Sequence, residues 1–101
     1  MGLFSLFSQS LAKERYLFFD VETTGLFPLT GDRILELAMI KVENGDIIDK
    51  YESMFNPQRE ISEEITNING ISNEMVKDAP IFSREIGEKI VEFVKDTTLI
   101  A

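Results

Sequence analysis

Asp20 and Glu22 are the residues of this sequence whose types and spacing best suit chemistry. They stand two positions apart at the end of an apolar run, in Phe18-Phe19-Asp20-Val21-Glu22-Thr23-Thr24-Gly25. Side chains alternate along an extended strand, so the two carboxylates point to one face, a few ångströms apart. Side by side they repel each other and resist desolvation. A cation between them removes that penalty, and hard divalent ions with oxygen ligands, Mg²⁺ or Mn²⁺, match the need. Two such ions about 3.5–4 Å apart stabilise the attacking and leaving oxygens of an in-line phosphoryl displacement. Gly25 lets backbone approach a ligand closely. The bland alternative is a solvated strand end with two acids that keep an edge soluble. The apolar run before them and the Thr-Thr-Gly after them weigh against it.

The elements that must position this pair are legible from pattern. Residues 16–21 form a continuous aromatic and β-branched run, the signature of a strand covered on both faces. A loop over 23–31 follows, with Gly25, Pro28 and Gly31. Residues 34–42 and 46–55 read as two more strands, joined by Asn44-Gly45. Both of those residues tolerate the positive φ of a type I′ turn, so the two strands form an antiparallel hairpin. Ser62 caps a short helix over 63–68, which Asn69-Gly70 ends. A longer helix is expected from Asp78 to about Lys95, with Phe82, Ile86, Ile90, Phe93 and Val94 as its core-facing stripe. Leu99-Ile100-Ala101 reads as the start of a fourth strand, parallel to an existing one after a helical crossover. So short a strand leaves apolar surface and backbone edge open, and the expectation is a fragment of a larger domain.

Composition bounds the rest. The 101 residues, 44% apolar and 28% charged, suit one globular domain or part of one. There is no cysteine and no histidine, which removes disulfides, thiolate chemistry and histidine-based triads or zinc sites built from this chain alone. The lack of cysteine fits a cytoplasmic location. A net charge of −8 argues against binding a polyanion, unless bound divalent cations invert the local charge. Residues 1–15 are an apolar leader with Leu3, Phe7 and Leu11 on one helical face; it is too short to span a bilayer, and no membrane role is expected.

The motifs Phe-Phe-Asp-Val-Glu-Thr-Thr-Gly-Leu (18–26), Arg-Ile-Leu-Glu-Leu-Ala (33–38) and Ile-Asn-Gly-Ile-Ser (68–72) together carry a resemblance. Over residues 16–101 the chain resembles the DEDD-type 3′–5′ exonucleases of the histidine subclass, the group that includes the proofreading epsilon subunits of bacterial DNA polymerase III. The resemblance implies an α/β, ribonuclease-H-like fold, here incomplete: an antiparallel three-stranded meander, helices and the start of a fourth strand. It implies that Asp20 and Glu22 are catalytic and ligate two Mg²⁺ or Mn²⁺ ions. It further implies that Thr23, Thr24, Gly25 and Leu26, with Ile68, Asn69 and Gly70, hold the 3′-terminal nucleotide of a nucleic acid, DNA being the expected substrate. Many relatives carry His where Asn69 stands. Glu36 is expected to make a structural hydrogen bond near the site. A DNA polymerase catalytic subunit is the implied partner.

The chain also departs from that pattern. Relatives continue past a Leu-Ile-Ala-like strand start with a third carboxylate, and later supply a histidine base and a fourth carboxylate. With two carboxylates and no base, the isolated chain is expected to be inactive. Two other readings stand beside this one. A non-catalytic remnant or interaction module would bind a polymerase or another partner. A haloacid-dehalogenase-like phosphatase would use Asp20 as a covalent nucleophile, but it requires a parallel sheet where this sequence places a hairpin.

Overall fold

The computed structural model describes residues 15–101, so the expected leader lies, but for Arg15, outside the described residues. The hairpin chemistry decides the first half of the fold. Strand β1 (Arg15–Thr23) pairs antiparallel with β2 (Ile34–Glu43), and β2 pairs antiparallel with β3 (Asp46–Met54). The turn between β2 and β3 is made by Asn44 at φ 55° and Gly45 at φ 81°, the left-handed pair expected there. Three helices follow: α1 (Glu63–Asn69), α2 (Asn73–Val76) and α3 (Arg84–Val94). Then β4 (Thr98–Ile100) adds to β1 in parallel. The sheet order is β3-β2-β1-β4, which makes β1 a central strand. An antiparallel β2 directly after β1 is incompatible with the parallel sheet of the phosphatase reading.

Period-two alternation sends Leu17 and Phe19 of β1, and Leu37 and Met39 of β2, to one face. There they pack with Ile86, Ile90, Phe93 and Val94, the apolar stripe of α3. A second core, Leu35, Ile61, Ile71 and Val76, ties the start of β2 to α1 and α2. Each helix opens on a serine whose hydroxyl accepts a backbone N–H in the first turn: Ser62 from Ile65, Ser72 from Met75 and Ser83 from Ile86.

Two expectations need correction. The aromatic run of β1 is not covered on both faces among the described residues: Phe18 is 44% exposed and its cross-strand partner Ile40 37%. The reason is that α3 lies on the Leu17 face, and the opposite face carries Asp20, Glu22, Glu36 and Glu52, whose solvation opposes burial. The long helix also starts later than Asp78. The Pro80 carbonyl accepts the Asn56 N–H (2.9 Å) and Ile81 bridges Asn56, so extended backbone holds this stretch until Ser83. Phe82 therefore precedes the helix; it packs edge-on against buried Phe55, ring centroids 5.2 Å apart.

Candidate active site

β1 delivers Asp20 and Glu22 to the open face of the sheet, near the end of the strand. Glu22 lies directly opposite Glu36 on β2, and Asp20 lies opposite Ala38, whose partner on β3 is Glu52. Four carboxylates thus share one face of three neighbouring strands. Among the described residues, neither Asp20 nor Glu22 takes part in an ion pair. Glu36 feels this crowding: desolvation first, then the charges of Glu52, Glu22 and Asp20, push its carboxyl above the usual range. Among the described residues the expected hydrogen bond of Glu36 is not made; like-charged Glu22 stands opposite it.

The donor set suits a hard divalent ion. The described residues contain no group of three or more metal-binding side chains, so Asp20 and Glu22 would supply at most two carboxylates to an ion. That is the pattern by which Mg²⁺ binds, through one or two carboxylates with water and substrate phosphate oxygens completing the shell.

A cleft of ≈ 490 Å³ opens between the end of β1 and helix α1, lined among others by Glu22, Thr23, Gly25, Leu26, Ile68 and Asn69. Six of the residues singled out in the sequence therefore meet around one space, although Ile68 and Asn69 lie more than forty positions from Thr23. Leu26 (87% exposed) and Ile68 (74%) present apolar side chains at its mouth. Asn69 fixes the far wall: its Nδ2 donates to the Thr23 carbonyl (3.5 Å) while its Oδ1 accepts the Ile71 N–H (2.9 Å). Asp20 sits one step back on the same face as Glu22.

Besides Asp20, two singled-out residues do not line the cleft. Thr24 is buried; its hydroxyl donates to Asp32 Oδ1 (2.9 Å) and accepts the Arg33 N–H (2.9 Å). Gly70 ends α1 in the left-handed region (φ 76°), where its N–H closes on the Thr66 carbonyl. Gly25 lines the cleft, yet the close approach it permits is internal. A Cβ built on it would lie 2.7 Å from Cγ of Asp32, so the Asp32 carboxylate occupies the space a side chain would need.

Asp32 and Arg59 were not singled out from the sequence. Asp32 Oδ2 accepts the Phe27 N–H (2.8 Å), and Arg59 donates to Asp32 Oδ1 (3.1 Å) and to the Gly31 carbonyl (2.9 Å). The Phe27 N–H, then the Thr24 hydroxyl, hold the Asp32 carboxyl below its usual range, with Arg59 adding to them against desolvation. The only local signal was an acid in a Gly-rich loop, which has no specificity alone.

Comparison with known proteins gives concordant results. The family model described as "Exonuclease" (RNase_T) matches residues 17–101. A DNA polymerase III PolC-type protein of Bacillus cereus is 45% identical over 91 residues, covering 90% of this chain and 6% of that protein. The PolC-type protein of Staphylococcus aureus is 50% identical over 78 residues, covering 77% of this chain and 5% of that protein. This chain thus spans only a small part of the length of these relatives. Among solved structures, product-bound exonuclease I superposes with a TM-score of 0.71 at 20% identity, covering 86% of this chain and 21% of that one. E. coli exonuclease I in complex with a 5cy-dA13 oligonucleotide gives 0.72 at 19% identity, with 86% and 20% coverage.

Proposed function

Because this chain belongs to the exonuclease family and has its ribonuclease-H-like fold, we propose that it takes part in 3′–5′ hydrolysis of DNA, releasing 5′-mononucleotides. Exonucleases of this kind use divalent metal ions. Asp20 and Glu22 would hold them, two Mg²⁺ (or Mn²⁺) in the full site, and the ions would supply charge stabilisation at the scissile phosphate. The chain's own residues do the rest. The α1 cleft takes the 3′-terminal nucleotide, with Leu26 and Ile68 against its apolar surfaces and Thr23, Gly25 and Asn69 shaping the floor. Thr24 and Gly70 act from behind, by fixing the loop and the end of α1. The carboxylate face is negative, so without cations it repels a phosphate, and substrate and metal must bind together.

The single observation that carries this reading is an unneutralised carboxylate pair beside a nucleotide-sized cleft. DNA is favoured over RNA because the PolC-type relatives are DNA polymerases by name and the exonuclease I neighbour is bound to a deoxyoligonucleotide. The name of the same relatives favours a DNA polymerase as partner, and a cytoplasmic setting is proposed with it. No described helix is long and apolar enough to cross a membrane.

The test is hydrolysis of a 3′-labelled single-stranded oligodeoxynucleotide by the complete gene product and by this chain alone, each with Mg²⁺. The complete product should release mononucleotides and the isolated chain should be inactive, because its 101 residues hold no histidine to serve as base. Undiminished hydrolysis by an Asp20→Ala variant, purified free of other nucleases, would refute the assignment.

A further inference from the structure

Gly25 and Leu26, which line the cleft together with Phe27 and Asp32, lie between two residues that both donate to Asp32. The Thr24 hydroxyl donates to Oδ1 and the Phe27 N–H to Oδ2, so one carboxylate grips the chain on both sides of Gly25 and Leu26. The grip is anchored from three directions. Thr24 pairs with the main chain of Arg33, donating its N–H to the Arg33 carbonyl (2.9 Å). The Asp32 N–H donates to the Phe27 carbonyl (3.1 Å). Arg59, from the segment after β3, donates to Asp32 and to Gly31. Gly25 has no side chain, and this is what lets the carboxylate close over the loop.

Resting on the reading above, we propose that Asp32 is a positioning residue for substrate: it holds Gly25 and Leu26 at the cleft wall, so that its loss weakens capture of the 3′-terminal nucleotide rather than the chemical step. Every group facing the carboxylate is a donor: a hydroxyl, a backbone N–H and a guanidinium. A carboxylate accepts on both oxygens, whereas an amide accepts on one and turns its NH₂ toward a donor with the other. Asparagine can therefore hold one side of the loop and must release the other. Alanine releases both, and Leu26 is then free to leave the position it takes at the mouth of the cleft.

The test is steady-state hydrolysis of a 3′-labelled single-stranded oligodeoxynucleotide by the complete gene product at saturating Mg²⁺. Asp32→Ala should raise KM about tenfold while kcat changes less than about threefold, with Asp32→Asn between it and the parent. The Mg²⁺ concentration giving half-maximal rate should stay as in the parent, because Asp32 is not placed among the metal ligands. If Asp32→Ala does not fold, the Asn variant carries the same comparison. A fall in kcat at constant KM, a parental KM in both variants, or a shifted Mg²⁺ midpoint overturns the inference. Asp20→Ala, run in parallel, separates the two levels. If it hydrolyses like the parent, the exonuclease reading fails and this inference with it. If it is dead while the Asp32 variants keep parental KM, only the positioning role fails.

Discussion

Asp32 and the Asp20–Glu22 pair lie within a dozen residues of one another, and the fold treats their charges in opposite ways. Asp32 meets three donors, including the Arg59 guanidinium, and its carboxyl is held acidic. Glu22 stands opposite Glu36, with Asp20 and Glu52 on the same face, and neither Asp20 nor Glu22 makes an ion pair among the described residues. A charge compensated by the protein is a structural part, because its partners lock it in place. A charge left uncompensated beside like charges costs stability, and a fold that retains it is prepared for a ligand that supplies the missing charge. The contrast separates the acid that shapes the cleft from the acids proposed to hold metal beside it.

The comparison can be broken or sharpened by measurement. The largest effect belongs to the uncompensated pair. Asp20→Ala in the complete gene product should lower the hydrolysis rate by about 10³-fold or more, on the scale of removing a principal electrostatic group. The metal-free melting temperature should hold or rise, because a repulsion is removed. A drop in melting temperature with retained hydrolysis would put Asp20 in the structural class. Next comes metal linkage. Mg²⁺ at a hundred times its Kd should stabilise the folded chain by about 2.7 kcal/mol in denaturant titrations, and that gain should vanish in an Asp20→Asn, Glu22→Gln double variant. A gain that survives the double variant would locate the ion elsewhere.

The compensated acid makes the third prediction. Gly25→Ala drives a methyl into the Asp32 carboxylate and should cost about 1–3 kcal/mol of stability by urea unfolding, the range for forced overpacking. Its Mn²⁺ affinity should be unchanged, and loss of metal binding would mean that the two regions are not separable. The smallest effect is at Glu36. Its carboxyl is raised in the fold, so folding favours the protonated form, and its contribution is fully present below the unfolded pKa and lost as pH rises through the raised value. Glu36→Gln should therefore stabilise the metal-free chain at pH 7 by about 0.5 kcal/mol, discounted for partial exposure. That advantage should shrink as the pH falls through the carboxylate range. Equal pH profiles for parent and variant would show that the carboxylates do not crowd each other.

Much of the site was legible because it is written in short-range terms. The Asp-x-Glu spacing alone puts both acids on one face, the Asn44-Gly45 turn alone sets an antiparallel hairpin, and Ser62 and Gly70 bracket α1 as expected. The less legible parts depend on contacts across long loops. The internal partner of Thr24 and Gly25 is not visible in the Thr-Thr-Gly stretch itself; that partner, Asp32, appears only once the loop closes. Helix α3 started later than its apolar stripe implied, because the stripe does not report that Pro80 and Ile81 are engaged by Asn56 from another segment.

By itself the sequence determined which residues share a strand face, where the chain turns and which acids are candidates for metal, since these follow from backbone periodicity and local sterics. Only the tertiary structure decided that Glu36 opposes Glu22, that Asn69 closes a cleft onto Thr23, and that, among the described residues, Asp32 is ion-paired while Asp20 is not. Strand register and loop closure bring distant charges together. The fate of a carboxylate depends on which groups stand within a few ångströms of it, and sequence separation does not encode that distance.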